Sequence, residues 1–107
     1  MSFSRALLAA AILAASFASD ALAATQSVVQ SGRKFTPNDV TISAGDSVEF
    51  SNQDEFIHQI YVDSDKINYD SAEQPPGQVI TIKFPTAGDF PVRCHIHPKM
   101  LLTVHVK

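Results

Sequence analysis

The stretch from residue 39 to residue 52 reads DVTISAGDSVEFSN, and the spacing of its apolar residues decides the fold class. On either side of the tight-turn sequence Ala44-Gly45-Asp46-Ser47, apolar residues alternate with polar ones, at Val40, Ile42, Val48 and Phe50. Side chains of a β-strand point alternately to opposite faces, so this period of two predicts half-buried strands rather than a helix. We therefore predict a β-hairpin over residues 39–52.

The same period of two continues after residue 24, and no stretch has a sustained helical period. This alternation predicts further strands over residues 28–29, 33–36, 57–62, 78–84, 90–94 and 102–106. Residues 64–77 are polar, end in Pro-Pro-Gly and predict a loop with at most one helical turn. Six to eight short strands separated by turns predict an all-β domain, either an antiparallel β-sandwich or a small barrel.

Length and charge exclude several classes of protein. The chain has 107 residues, with 8 basic and 11 acidic side chains and a net charge of −3. This length fits one globular domain, and a mildly negative charge argues against binding to a nucleic-acid backbone. The single cysteine, Cys94, excludes an internal disulfide framework and any metal site built only from thiolates.

Residues 1–23 have the layout of a secretory signal peptide. A short basic lead over residues 1–5 precedes an apolar run over residues 6–18, and small residues follow up to Ala23. The run is well short of the roughly 20 residues that a helix needs to cross a bilayer. We predict cleavage after Ala23, a mature domain over residues 24–107 without a membrane span, and export to the periplasm.

The residues that can carry chemistry are concentrated in residues 93–100, which read RCHIHPKM. This segment holds a thiol, two imidazoles and a thioether. Alternation along the strand that begins at Phe90 turns Cys94 toward the core and His95 toward solvent. The thiol is therefore expected to be buried.

Another histidine lies upstream on a separate predicted strand. His58 shares a face with Ile60, so it should also point into the sandwich. Three groups, His58, Cys94 and His97, can then converge at one end of the sandwich, with Met100 behind them. We expect these four residues to form one site.

Two imidazoles, a thiolate and a weakly bound thioether form the ligand set of a type 1, or blue, copper electron-transfer site. Thiolate and thioether favour Cu(I), and imidazole suits both oxidation states. A rigid β-scaffold leaves little to move when an electron arrives or leaves. A lone thiol in an oxidising compartment is also safer when it is buried or bound to a metal ion.

The sequence resembles the cupredoxin family, in particular its amicyanin and plastocyanin group. The resemblance covers most of residues 35–106. It rests on the Cys-x2-His-x2-Met spacing of residues 94–100 and on the stretches 37–52, 54–58 and 88–90. It implies a Greek-key β-sandwich that holds one type 1 copper ion. His58, Cys94 and His97 would be the equatorial ligands and Met100 the axial ligand.

Several positions depart from the family's pattern. Gln59 replaces the asparagine that usually follows the first histidine and ties the two ligand loops together. His95 stands where a small or hydroxyl residue is commoner, and Leu101-Leu102 stand where a glycine-containing turn is usual. We expect these differences to affect the redox potential or solvent access without removing a ligand. A role of His95 as a ligand or in tuning the potential stays open.

The ligand set and the resemblance together predict an exported electron carrier rather than an enzyme. Its partners would be redox proteins, a donor dehydrogenase or cytochrome and an acceptor cytochrome or oxidase. The edge of His97 would reach the surface through an apolar patch that includes Phe56, Ile57, Pro76 and Pro98. We expect a monomer that binds no nucleic acid. The alternative is periplasmic copper storage or delivery with the same four ligands.

Other chemistry fits the sequence less well. Nucleophilic catalysis by Cys94 would need an orienting group and an oxyanion hole, neither of which the sequence indicates. A multicopper oxidase would need paired His-x-His segments elsewhere in the chain, and there are none outside residues 95–97. A dinuclear copper centre would need a second cysteine. Methionine is a poor zinc ligand, and the acidic pairs at residues 54–55 and 63–65 lack a full calcium-binding loop. His105 alternates outward and is expected to be an ordinary surface residue.

Overall fold

A computed structural model describes residues 22–107, so residues 1–21 of the predicted leader lie outside the described residues. Over the described range the chain forms nine β-strands, which are β1 Thr25–Ser31, β2 Lys34–Thr36, β3 Asp39–Ile42, β4 Ser47–Asn52, β5 Ile60–Asp63, β6 Asn68–Asp70, β7 Val79–Lys83, β8 Gly88–Cys94 and β9 Leu101–Val106. Within residues 22–107 there is no helix long and apolar enough to cross a membrane.

The strands form two sheets with one core between them. One sheet has the order β2-β1-β4-β7 and the other the order β3-β9-β8-β5-β6. The predicted all-β sandwich is therefore confirmed. β1 runs parallel to β4, and β3 runs parallel to β9, whereas the other paired strands are antiparallel. These two parallel pairs are the departure from a purely antiparallel arrangement.

The core consists of the residues that alternation turns inward from both sheets. Phe50 of the first sheet and Phe90 of the second are buried. The centroids of the Phe90 and Phe84 rings lie 5.8 Å apart. Burying an aromatic side chain of this size contributes roughly 1.5–3 kcal/mol. Along β8 the inward positions lead from Phe90 to Cys94, which is the last residue of the strand and is also buried. The alternation thus delivers the thiol to one end of the core.

The predicted hairpin over residues 39–52 is wrong, although its turn is present. The N–H of Asp46 donates to the carbonyl of Ser43 at 3.0 Å, and Gly45 has a φ of 96°, which favours glycine. The strands on either side belong to different sheets, since β3 pairs with β9 and β4 pairs with β1 and β7. Both strands turn their apolar residues toward the same core from opposite sides. The strands of a hairpin would show the same alternation of apolar and polar residues, so the sequence does not separate the two arrangements.

Two other boundaries also differ from the prediction. The strand predicted over residues 57–62 begins only at Ile60, and residues 53–59 form an irregular connection with a single bridge at His58. The loop predicted over residues 64–77 contains β6, which pairs with β5 at the edge of the second sheet, and no helical turn. β6 has no buried residue, so alternation gave no sign of it.

His105 links three strands of the second sheet instead of being an ordinary surface residue. Its Nδ1 lies 2.7 Å from Oδ1 of Asp89 on β8, and its Nε2 lies 2.9 Å from Oδ2 of Asp39 on β3. Hydrogen bonds to both carboxylates favour the imidazolium form and raise the pKa of His105, with the larger effect from Asp39 and the smaller from Asp89. The protonated ring bridges β3, β9 and β8.

We expect His105→Gln to remove a pH-dependent part of the stability. Because the pKa is raised in the folded state, the imidazolium stabilises the fold fully below the unfolded-state pKa of about 6.5. This contribution is lost as the pH rises through the folded-state pKa. Denaturant unfolding of the metal-free proteins should therefore give a larger free energy of unfolding for wild type than for the variant at about pH 5.5. This difference should narrow toward about pH 9. A gap that stays constant over this range would contradict the bridge.

Candidate metal centre

The last residue of β8 and the connection from β8 to β9 lie at one end of the sandwich and together carry three of the four predicted ligands. β8 ends at Cys94 and β9 begins at Leu101, so His97 lies within a short loop over residues 95–100. The loop turns back because the N–H of Met100 donates to the carbonyl of His97 at 3.0 Å. Cys94 and Met100 are buried, whereas His97 is half-buried. One predicted ligand of the loop therefore approaches the surface.

His58 reaches the same end of the core from a distant part of the chain. It lies in the connection between β4 and β5 and is fully buried. Its N–H donates to the carbonyl of Gln74 at 3.1 Å, and its carbonyl accepts the N–H of Gln74 at 2.7 Å. This pair of hydrogen bonds fixes the backbone of His58 before β5 begins.

Three donor atoms converge between these two segments. Sγ of Cys94 lies 3.5 Å from Nδ1 of His58 and 3.9 Å from Nδ1 of His97, and the two Nδ1 atoms are 3.2 Å apart. One metal ion with bonds of about 2.0–2.3 Å can reach all three corners of a triangle of this size. The structure thus brings His58, Cys94 and His97 together, with buried Met100 on the same loop as His97.

Asp54 determines which nitrogen of His58 faces the triangle. Its Oδ2 lies 2.7 Å from Nε2 of His58, so Nε2 carries the proton and Nδ1 presents a lone pair. The same carboxylate accepts the backbone N–H groups of Gly32 and Arg33 in the β1–β2 turn. Burial alone would raise the pKa of Asp54, but hydrogen bonds from His58, Arg33 and Gly32 outweigh burial and lower it. Asp54 is therefore an anion that orients the ring.

The surroundings of His97 favour its neutral imidazole. Burial lowers the pKa of His97, and repulsion from any second proton on the His58 ring and from the Arg33 cation lowers it further, whereas Asp54 acts in the opposite direction without reversing the shift. The ring packs edge-on against Phe56, with the two centroids 6.0 Å apart. A neutral imidazole has a lone pair available for a metal ion.

The sulfur of Cys94 accepts a backbone hydrogen bond that does not depend on the side chain at position 59. The N–H of Gln59 lies 3.4 Å from Sγ, and the carbonyl of Gln59 accepts the N–H of His95 at 2.9 Å. The side chain of Gln59 instead donates to Asp70 at 2.9 Å. Backbone bonds therefore join the two metal-binding segments, while the Gln59 side chain makes its contact at the surface.

The donor set fits a soft, redox-active ion. Thiolate and imidazole suit copper, and a thioether beside them is typical of copper rather than zinc. Within residues 22–107, His58, Cys94 and His97 form the one group of three or more histidine, cysteine or carboxylate donors close enough to share an ion. A family model described as a cupredoxin-like domain matches residues 4–104. The chain belongs to the cupredoxin family.

Known proteins resemble this cupredoxin in sequence or in fold, and two of the solved structures among them name copper. A plastocyanin from Ulva prolifera is 35% identical, over 65% of this chain and 85% of its own length. An amicyanin variant solved in the Cu(I) form has the same fold, with a TM-score of 0.73 at 19% identity over 78% of this chain and 82% of that one. A copper-containing nitrite reductase from Thermus scotoductus has a TM-score of 0.71 at 25% identity. The match covers 83% of this cupredoxin but only 23% of that enzyme.

Copper is therefore the cofactor of this small cupredoxin. His58, Cys94, His97 and Met100 are arranged as in a type 1 copper site, with two imidazoles and a thiolate around one point and a thioether residue buried beside them. Family, donor chemistry and geometry agree on this point.

His95 takes no part in the donor cluster. Its ring stacks on Tyr61, with centroids 3.7 Å apart and the planes 10° from parallel, and its Nε2 lies 3.1 Å from Oδ2 of Asp70. The side chain is exposed, as strand alternation predicts. Because Asp70 contacts both His95 and Gln59, two of the positions that depart from the family's pattern form one surface cluster.

Sequence reasoning missed three buried amide side chains that support the site. Gln30 donates to Oε1 of Gln74 at 2.9 Å, and Asn52 donates to the carbonyl of Gln74 at 2.9 Å. Asn52 also donates to the carbonyl of Phe56, so these amides hold the connection that carries His58. All three are fully buried, where most polar groups are hydrogen-bonded, and within residues 22–107 Oε1 of Gln30 is the one buried side-chain nitrogen or oxygen without such a partner.

Alternation could have revealed two of these amides. Gln30 follows Val28 and Asn52 follows Phe50 at the inward positions of β1 and β4, so each places a polar side chain on the core face. Gln74 lies outside any strand, and only the folded structure shows its burial.

We expect Asp54→Asn to weaken copper binding. The amide keeps the size of the side chain but places an NH₂ group against donors that the carboxylate accepts, so the ring of His58 loses its fixed orientation. The loss of such a supporting contact typically lowers metal affinity by about 10–100-fold. Competition with a chelator measures the affinity.

The matched control for this variant is Asp46→Asn. Asp46 also accepts two backbone N–H groups, from Ala24 and Ser43, but contacts no histidine. Equal copper affinities of Asp54→Asn and Asp46→Asn would contradict the orienting role of Asp54.

Proposed function

We propose that this cupredoxin carries single electrons between other exported redox proteins, with His58, Cys94 and His97 as equatorial and Met100 as axial copper ligands. The observation that carries the proposal is the donor triangle, whose edges of 3.2, 3.5 and 3.9 Å are set by the fold. Bound copper supplies the Cu(II)/Cu(I) couple. Similarity to a plastocyanin and the fold shared with amicyanin support electron transfer.

The part of the polypeptide in this function is to hold the donors still and to exclude water. Cys94 and His58 are buried, and backbone bonds from Gln59 and Gln74 fix their segments. Packed protein interiors resist rearrangement, so little moves when one electron arrives or leaves. The sulfur is also inaccessible to a substrate, since only 1% of Cys94 is exposed. This burial supports a carrier rather than a thiol enzyme.

Electrons would enter and leave through His97, the half-buried ligand. Phe56 packs against its ring, Ile96 and Pro98 flank it in sequence, and all three are exposed. Ile57 and Pro76 of the predicted patch are exposed too, and their place at this surface stays a prediction. Ile96 was not part of that prediction. Exposed apolar patches often mark protein contacts. We propose that a donor dehydrogenase or cytochrome and an acceptor cytochrome or oxidase dock here in turn on a monomer.

Protein produced from the full sequence and loaded with Cu(II) should absorb intensely in the visible range, because thiolate-to-copper charge transfer is strong. Its spin-resonance spectrum should show narrow copper hyperfine splitting. Cys94→Ser removes the sulfur and should abolish the band while the fold remains. His95→Gln is the matched control and should keep the band, since that ring lies outside the donor cluster. A colourless copper adduct of the unaltered protein would contradict the proposal.

The same preparation separates a carrier from a storage or delivery protein. A carrier should cycle reversibly in voltammetry and retain its copper against a competing chelator. Ready loss of copper to that chelator would assign the protein to copper storage or delivery.

We also propose that residues 1–23 are removed on export and that residues 24–107 act in the periplasm. The first strand begins at Thr25, one residue after the predicted new N-terminus. The N–H of Ala24 donates to Oδ1 of Asp46 at 2.9 Å, and the carbonyl of Ala24 accepts the N–H of Ser47 at 3.0 Å. Cleavage after Ala23 would therefore place an α-ammonium group beside a carboxylate.

We expect mature protein that begins at Ala24 to be more stable than the same protein acetylated at its N-terminus, with no such difference in Asp46→Asn. Hydrogen bonds from Ala24 and Ser43 lower the pKa of Asp46. The contribution of Asp46 is thus present above its unfolded-state pKa of about 3.9 and is lost as the pH falls through the folded-state value. Denaturant unfolding measures these differences. Equal stability of the free and acetylated forms would contradict the ion pair.

A further inference from the structure

Three cations lie around the exposed edge of His97. A concavity of about 490 Å³ opens beside this ring, and its lining includes Ile96, Pro98, Arg33, Lys34 and Lys99. No residue of the lining is acidic. We call Arg33, Lys34 and Lys99 the basic rim. The rim adds positive charge to the apolar surface through which electrons are proposed to pass.

The basic rim has the opposite sign to the chain as a whole, whose net charge is −3. Asp46 lies in the β3–β4 turn and Asp89 near the start of β8, both at the end of the sandwich away from the donor cluster. Asp54 lies nearer the rim, but its carboxylate accepts hydrogen bonds from His58 and from the β1–β2 turn. Glu55 is exposed but does not line the concavity. The charge at the edge of His97 is therefore a local property.

Arg33 is held close to His97 by its backbone and by its side chain. Its N–H donates to Asp54 at 3.0 Å, and its guanidinium lies 4.7 Å from the centroid of the Phe56 ring, which itself packs against His97. Arg33 has a φ of 58°, a left-handed conformation that is uncommon for a side chain other than glycine, asparagine or aspartate. These contacts place a cation one aromatic ring away from the ligand.

We propose that the basic rim docks a redox protein whose own docking surface is acidic, an assignment that rests on the proposed electron-transfer function. Opposite charges around a small apolar contact speed the encounter and fix its orientation without requiring tight binding. Anionic membranes attract clusters of about four to eight basic residues, more than the rim offers. The rim also lines a concavity, which suits a protruding protein surface better than a bilayer.

Small redox ions of opposite charge test the local field. Reduced, copper-loaded protein is mixed with hexacyanoferrate(III), an anion, or with tris(phenanthroline)cobalt(III), a cation. In each reaction one electron leaves the protein and reduces iron(III) or cobalt(III) to the divalent state, with no proton transferred. We expect the rate constant for the anion to fall with rising salt, because the rim attracts it. A rate constant that rises with salt, as the net charge alone requires, would overturn the proposal.

Two triple variants of equal net charge locate the effect. Replacing the basic rim, in Arg33→Gln with Lys34→Gln and Lys99→Gln, should slow oxidation by hexacyanoferrate(III) about 10-fold at low salt and remove the fall with salt. The control replaces three lysines outside the concavity, in Lys66→Gln, Lys83→Gln and Lys107→Gln, and should change the rate much less. Equal slowing in both variants would overturn the proposal, since the net charge would then explain it.

A titration of the metal-free protein with a hexaglutamate peptide tests the rim without relying on copper. Amide resonances of Ile96, Lys99 and Lys34 should shift at low salt, and the rim variant should show no such shifts. Absence of shifts in the unaltered protein would overturn the proposal that the basic rim binds an acidic surface. Absence of the visible copper band would overturn only the proposed electron-transfer function. Stronger binding to phosphatidylglycerol vesicles than to the peptide would reject the acidic protein in favour of a membrane.

Discussion

Two imidazole nitrogens and one sulfur lie within 3.9 Å of one another at the end of a closed core, and the rest of the structure has to maintain this arrangement. At most one proton fits between the two nitrogens. A metal cation that accepts a lone pair from each nitrogen and from the sulfur therefore stabilises the three buried atoms better than hydrogen bonds among them do. The fold therefore holds each donor through its other contacts. Asp54 binds the far nitrogen of His58, and the N–H of Gln59 meets the sulfur of Cys94.

These contacts change the character of the core toward its metal-binding end. Away from that end the inward positions are apolar, whereas Gln30 and Asn52 occupy the last inward positions of β1 and β4. Burying an amide costs free energy unless it is hydrogen-bonded, and here the bonds go to Gln74 and to backbone carbonyls around His58. Stability and ligand geometry thus depend on the same polar side chains.

Local alternation was sufficient for the fold class, for the inward direction of Cys94 and for the outward direction of His95. The six-residue spacing from Cys94 to Met100 was sufficient to indicate a soft metal site. Strand pairing was not predictable in the same way, because β3 and β4 have the pattern of a hairpin while their hydrogen-bond partners lie far along the chain. The roles of Asp54, Gln74 and Arg33 likewise arise from residues that are distant in sequence or outside any strand, where a period of two carries no information.

Ala24 and Lys107 lie in neighbouring segments at the pole of the sandwich remote from the donor cluster. Ala24 contacts Asp46, and Lys107 bonds to Ala44 and Ile42 in the neighbouring segment. β9 separates this pole from the donor cluster by about 20 Å, because its six residues, Leu101–Val106, rise roughly 3.3 Å each. A tether or fused module attached before Ala24 or after Lys107 would therefore leave the His97 face unobstructed. Such geometry suits immobilisation on an electrode with the conducting edge directed outward.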